Sequence, residues 1–463
     1  MLIPIQAMLY QRAAVLFSSQ PTNFPYYDNP ITGAGWLLGR VTALKVIGKY
    51  LFLLIWPANL SCDYSWAQIP LGGSSIADFG CWLLLAAALG AGALLLRHNR
   101  TGLFLAGAAF LVFLPTSNLL FPIGTIMAER FLYLPSIAFS TALVAVVFAA
   151  AVRVGKPRFV PAVLAVMVVA YAGRTWARNA DWQSDLTLAT ATVAASPESY
   201  KSHLMLANSL FEAGAGKANI DRVLAEAEKS LAIVQPLPPE RNNAGVLRRA
   251  AMWYLAKSDL TGQPEGAPSC RRAVELLQRC RTIVLAQTEA ARQRPGFDAA
   301  TDPLLAAPAE IDRLISVAYL KLGDTGRALD LSAGSIEGDP GNPQVYRQYA
   351  QALIAAGRAQ EAITALMEGV MLTMDPALRQ NVVELYQSAP GQGGCALMPG
   401  QNGSMALNPG CDAVHTQLCA ATVAAIQLRV KSGRHDLAEQ LKTSGITAFS
   451  CPTAPLDAAL LQR

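Results

Sequence analysis

The hydrophobic pattern divides the chain near residue 178. Before it, apolar residues run almost unbroken through 79–96, 102–120, 131–152 and 159–171, the last extendable to Gly173. Runs of this kind predict helices that cross a bilayer, which takes about 20 apolar residues. A further stretch, 39–57, has the length but carries Arg40, Lys45 and Lys49. A Lys near the bilayer centre costs about 2.5–3.5 kcal/mol on insertion scales. Lys45 and Lys49 are four apart and share one helix face. Two readings fit: a helix lying in the membrane interface, or a span whose cationic face lines a polar cavity. Residues 1–17 are apolar but interrupted by Gln11 and Arg12. They lack the basic start and cleavage site of a signal peptide and read as the tail end of a span.

Past 178 the pattern changes to short amphipathic helices with a fixed period. Ala318 and Ala352 are 34 residues apart, as are Gly323 and Gly357, and Ala328 and Ala362. That is the tetratricopeptide period: small residues let two helices pack closely, and a Gly turns the chain between them. Asp339-Pro340 and Asp375-Pro376 mark repeat ends, Gly433 and Ala438 predict a further unit over 415–447, and 182–214 reads as the first repeat. The middle, 236–310, loses the period and reads as helical hairpins of diverged spacing. The expected fold is therefore all-α: a multi-span membrane bundle over 1–178, then a repeat solenoid over 179–463 with a concave binding surface. A Gly- and Cys-rich insertion near 389–411 interrupts the solenoid.

Composition sharpens the division. With 52% hydrophobic and 15% charged residues, the chain is too apolar for an ordinary soluble protein. Residues 1–180 hold 12 Lys+Arg against 4 Asp+Glu, and the remainder holds 25 against 28. The overall +5 therefore records cations at membrane edges. No basic stripe with interleaved aromatics is present, so no nucleic-acid partner is expected. The short basic loops 97–100 and 153–158 belong on the cytoplasmic side, which puts loops 58–78 and 113–130, and everything after Arg174, outside.

The loop 113–135 reads FLPTSNLLFPIGTIMAERFLYLP. It places Glu129, Arg130 and Tyr133 at the membrane boundary, where ionisable groups mark functional sites. The plainer reading is an interfacial turn with a snorkelling Arg and an aromatic anchor. This loop resembles the luminal loop of the transmembrane and tetratricopeptide-repeat protein O-mannosyltransferases, which reads much like LP.SN..FP.G...AER.LYLPS. Leu114, Pro115, Ser117, Asn118, Phe121, Pro122, Gly124, Ala128, Glu129, Arg130 and 132–136 fit. Asp28-Asn29-Pro30, the segment 58–70 with Asp63, Tyr64, Ser65 and Ile69-Pro70, and the junction 174–182 resemble the same family.

The resemblance implies a C-class glycosyltransferase fold that moves mannose from a polyprenyl-phosphate donor to protein hydroxyls, with the repeats holding the acceptor protein. It covers the later spans and the repeats, not the family's amino-terminal catalytic loop. Arg130 then becomes a candidate for the donor phosphate, because a guanidinium fork matches phosphate oxygens. Glu129 would orient it, Tyr133 lies close behind, and Lys45 or Lys49 would add charge at the headgroup. Asp28 and Asp63 are candidate general bases, with polar-turn roles as the alternative. No cofactor beyond the lipid-phosphate sugar and no metal is expected. The alternative function is a non-catalytic, membrane-anchored repeat scaffold for periplasmic partners. Family flavour and the Ala-rich composition point to a multi-pass protein of a bacterial inner membrane with periplasmic repeats.

Eight Cys are present. Cys81 lies in a span and Cys62 in an outer loop. An even set in an exported domain suggests disulfides: Cys270 with Cys280 as a local pair, Cys395 with Cys411 closing the insertion, and Cys419 with Cys451 tying down the tail. Other pairings of the last four stay open. Cys411, His415 and Cys419 share a helical face, but no second pair follows to complete a zinc site.

Overall fold

The computed structural model describes residues 24–73, 75–96, 100–214, 216–293, 307–373, 375–387, 397–399, 405–407 and 412–461. The opening stretch 1–17, Cys395 and Cys411 lie outside the described residues. Contacts group the chain into two compact units, Met1–Val246 and Leu247–Arg463.

The first unit begins with a short turn, Pro30–Gly33, followed by helix α1 (Trp36–Ile55). Helices α2 (Ile76–Leu96), α3 (Arg100–Phe113), α4 (Pro135–Arg153) and α5 (Val160–Asp181) follow. Among the described residues three segments are long and apolar enough to cross a membrane: Ile76–Ala93, Pro135–Arg153 and Pro157–Asp181. Their residues are almost entirely unburied by protein, as lipid-facing surfaces must be. The run expected over 102–120 is shorter as a helix. Pro115 cannot continue the hydrogen-bond ladder, and α3 gives way to a 3-10 turn over Leu114–Thr116. The run expected from 131 likewise starts later, because Glu129–Leu132 is a 3-10 turn and Pro135 opens α4.

Helices α6 (Asp185–Ala195), α7 (Tyr200–Glu212) and α8 (Lys217–Val234) complete this unit. Helices α7 and α8 form the first close hairpin, with Ala207 and Ala227 fully buried. Gly214, at φ +142, turns the chain inside that hairpin. The repeat read over 182–214 contains α6 and α7, and α8 packs on α7 in turn.

The second unit is also helical: α9 (Ala244–Thr261), α10 (Ala267–Arg292), α11 (Ala307–Lys321), α12 (Thr325–Gly338), α13 (Pro343–Ala355), α14 (Ala359–Thr373) and α15 (Pro376–Gln387), then α16 (Asp412–Lys431), α17 (His435–Phe449) and α18 (Thr453–Leu461). A two-stranded antiparallel ribbon, Leu397–Pro399 with Met405–Leu407, precedes α16. The 34-residue pattern has its physical basis here. Gly323, Gly357 and Gly433 occupy the same left-handed turn, at φ +79, +76 and +74, a conformation a Cβ disfavours. Ala318, Ala328, Ala352, Ala362 and Ala438 are fully buried where helices meet. Inside the stack, the buried Arg429 donates from Nε to Glu368 Oε1 at 2.5 Å and also pairs with Glu337.

The cysteines sort by geometry. Cys419 and Cys451 are joined, their Cα atoms 5.5 Å apart. Cys270 and Cys280 are not: both are reduced thiols on α10. Ten residues of helix separate them by about 15 Å, far beyond disulfide reach. Cys270 instead donates its thiol hydrogen to Ser258 Oγ at 3.0 Å. His415 Nε2 lies 3.7 Å from Cys419 Sγ, but both sulfurs nearby belong to the disulfide.

Candidate functional site

The sequence motifs of the first unit converge on one face, at the heads of the apolar helices. Asn29 and Asn118 hold them together. Asn29 is fully buried. Its Oδ1 accepts from Ile31 N and so caps the turn that follows. Its Nδ2 donates to Asn118 Oδ1 and to Ile123 O, both at 2.8 Å. Asn118, at φ +59, accepts from Ile123 N at 2.9 Å and donates to the carbonyls of Thr125 and Ile126 at 3.2 Å. The Asp-Asn-Pro element and the loop after α3 are thus one hydrogen-bonded knot. Its asparagines satisfy backbone that has no helix or sheet to do so.

The candidate bases meet in a clasp beside this knot. Asp28 Oδ1 accepts from Lys201 Nζ at 2.9 Å and from Tyr200 Oη at 3.0 Å. Asp63 Oδ1 accepts from Ser199 Oγ at 2.7 Å and Ser65 N at 2.8 Å. Ser65 Oγ lies 3.0 Å from Asp63 Oδ2 and 3.4 Å from Asp28 Oδ1, and Lys201 Nζ is 3.8 Å from Asp63. Burial alone would lower the Lys201 ammonium, but Asp63 and Asp28 outweigh it and hold it above the ordinary lysine value. Backbone bonds add to the clasp: Ala67 N donates to Glu198 O at 2.7 Å and Tyr200 N to Trp66 O at 2.8 Å. The α6–α7 turn is thereby fixed onto the loop after α1. Lys201, Tyr200 and Ser199 have no motif around them, and pattern reading passes over them.

Glu129 and Arg130 are neighbours in sequence with different surroundings. Glu129 Oε1 accepts from Ser61 N at 2.6 Å and from Tyr64 Oη at 2.7 Å. Burial pushes its carboxyl above the ordinary range; the bonds from Tyr64 and Ser61 and the charges of Arg178 and Arg174 oppose this only in part. It is thus engaged with the preceding loop, not with Arg130. Arg130 is exposed and lies over the Phe131 ring at 5.3 Å. Tyr133 is 79% exposed.

Lys45 departs furthest from its expected place. It is 1% exposed, donates to Pro70 O at 2.6 Å and pairs with Asp78 at 3.1 Å. It is internal and does not reach a headgroup. Lys49, one turn on, is half-buried. The four carboxylates of residues 1–180 are therefore all engaged, with Lys201, Lys45, Ser65, Ser199, Ser61 or Tyr64. Arg174 donates to Pro57 O and Ala58 O at 2.8 and 2.7 Å, just past the C-terminus of α1, where a cation is favoured.

Comparison with known proteins places this arrangement. Residues 319–381 match the tetratricopeptide-repeat family model. The chain is 33% identical over 191 residues to the protein O-mannosyl-transferase Tmtc3 of Drosophila melanogaster, covering 39% of this chain and 20% of that protein. Human TMTC3 is 27% identical over 222 residues, covering 46% and 23%. Human TMTC4 is 28% identical over 216 residues, covering 45% and 29%. The matched region is thus less than a third of each of these relatives' own length. In its apolar helices, its repeats and these matches, the chain is similar to the transmembrane and tetratricopeptide-repeat protein O-mannosyltransferases.

Proposed function

We propose that this chain serves membrane protein O-mannosylation: its repeats bind the acceptor protein, the outer loops of its membrane part present a polyprenyl-phosphate sugar, and the clasp fastens the first helical hairpin onto those loops. The clasp carries this reading. Asp28 and Asp63 come from either side of α1, and Lys201, Tyr200 and Ser199 come from the first hairpin. We assign the two carboxylates to holding that hairpin rather than to proton transfer, because each already accepts two or more hydrogen bonds. Arg130 is assigned to the donor phosphate: it is exposed at the membrane boundary, and its guanidinium offers a planar fork of donors. The basic sequences between the spans, which the positive-inside rule assigns to the cytoplasm, and the Cys419–Cys451 bond, which an oxidising compartment favours, support a bacterial inner membrane with the repeats in the periplasm.

The test is saturable binding of radiolabelled polyprenyl-phosphate mannose to the full chain in nanodiscs. Unlabelled polyprenyl phosphate should compete, and the unphosphorylated polyprenol should not. No saturable binding, or equal competition by the polyprenol, overturns the donor assignment. The non-catalytic scaffold reading would then lead. It already has the engagement of all four carboxylates of residues 1–180 in its favour.

A further inference from the structure

Helix α1 has two faces of opposite character. Gly39, Thr42, Ala43, Val46 and Tyr50 form a buried face, while Leu37, Leu44, Phe52 and Ile55 are exposed. At 100° per residue these four fall within about 80° of one another. Trp36 and Trp56, 75% and 64% exposed, mark the two ends.

The buried face packs against loops and, around Gly48, against α2. Thr42 Oγ1 accepts from Gly72 N at 2.7 Å, Lys45 bonds Pro70 O, and Tyr50 Oη bonds Ala128 on both its N and O. Two side chains of the apolar helices also bond the α1 backbone. Trp82, in the second turn of α2, donates to Val41 O at 3.2 Å. Tyr171, midway along α5, donates to Leu54 O and Ile55 O at 3.2 and 3.1 Å. Gly48 sits where α2 crosses, and a Cβ there would stand 2.2 Å from Cys81 O.

Both flanks of the helix are also tied to one side. Tyr27 and Asp28 precede α1 and bond Trp66 N, Tyr200 and Lys201. After α1, Pro57 and Ala58 bond Arg174, near the same end of α5 that leads into α6. A helix of 20 residues that crossed the bilayer would hold its flanks about 30 Å apart on opposite surfaces.

We propose that α1 lies in the outer membrane–water interface. Its buried face sits beneath the extramembrane loops. Its Leu37, Leu44, Phe52 and Ile55 face rests on acyl chains, and Trp36 and Trp56 rest at headgroup level. Lipid is the occupant because the candidate spans α2, α4 and α5 of the same unit expose apolar side chains in the same way: Leu83, Ile137 and Val166 are 71, 63 and 70% exposed. The inference does not depend on which sugar or acceptor the chain serves.

The test uses two added cysteines in the full chain, Gly35→Cys and Asn59→Cys. Both positions are exposed, and a Cβ at Gly35 meets nothing within 4 Å. In sealed vesicles of known orientation, a membrane-impermeant maleimide added outside should label each variant to about one thiol more than the unsubstituted chain, with no further gain on permeabilisation. Labelling of either site only after permeabilisation overturns the proposal. As a second readout, Trp36→Phe and Trp56→Phe should each remove fluorescence that shallow-brominated lipids quench. Quenching confined to mid-bilayer bromines at either Trp overturns it too.

Discussion

The clasp at Asp28, Asp63 and Lys201 and the ledge at Arg130 and Tyr133 lie in the same unit and are polar for opposite reasons. In the clasp every carboxylate meets donors from two or three segments, and the Asp28 and Asp63 side chains are only 20% and 14% exposed. On the ledge the guanidinium is open and its stacking partner is the adjacent Phe131. The difference shows that a charged motif at a membrane boundary is not one functional unit. Glu129 is built into the fold as the clasp is, and Arg130, the next residue, remains available to a ligand. Substitutions should separate the two classes by their effect on stability.

The largest effect is expected inside the fold, at Lys45. Replacing Lys45 by Met leaves Asp78 buried without its cation, which typically costs about 3–5 kcal/mol. The double change Lys45→Met with Asp78→Leu should recover most of that loss, since an apolar pair of similar volume is often neutral. Thermal unfolding in nanodiscs measures both. A single variant as stable as the parent would show that the pair is not closed.

Glu129 comes next. Glu129→Ala leaves the Tyr64 hydroxyl without its acceptor and the Ser61 N–H with only its longer bond to Tyr64 Oη, at a cost of about 1–3 kcal/mol for a group left buried. Glu129→Gln keeps an acceptor oxygen and should cost far less. The two also differ with pH. Because burial raises the folded carboxyl above its ordinary value, the stability it contributes is fully present below the unfolded pKa of about 4.3. It is lost as pH rises through the raised folded value. The parent should therefore lose stability relative to the Gln variant as pH climbs just above the ordinary carboxyl range. Parallel pH–stability curves would place Glu129 in water.

How much of this could be read from the residues depends on how local each requirement is. The turns at Gly323, Gly357 and Gly433 were legible because a left-handed backbone selects Gly at each repeat, whatever lies around it. The apolar helices were legible by length, and the Pro residues that trim them are visible in the same stretch. Lys45 was legible as a cation on a helix face but not as an internal one, because its counter-ion sits 33 residues on, in the head of another helix. Lys201 is an ordinary lysine near a helix start until the chain folds and brings it to Asp28, 173 residues away. The local pairing of Cys270 with Cys280 failed for the converse reason. Nearness in sequence is no nearness along a helix, where ten residues rise about 15 Å.

The smallest effect on stability is expected at Arg130, and it tests the comparison most sharply. The side chain is exposed, and its one described contact is with the ring beside it, so Arg130→Ala should shift stability by no more than about 0.5 kcal/mol. Its effect should appear in binding. Losing a guanidinium–phosphate contact should weaken polyprenyl-phosphate mannose binding by about tenfold or more, on the scale of about 1.5–3 kcal/mol for a charged hydrogen bond. Arg130→Lys should recover part of the affinity, since it restores the charge without the planar fork. A variant that binds as the parent does, with unfolding unchanged, would reduce Arg130 to a snorkelling anchor. A variant that loses both stability and binding would move Arg130 into the class of Glu129 and remove the distinction between clasp and ledge.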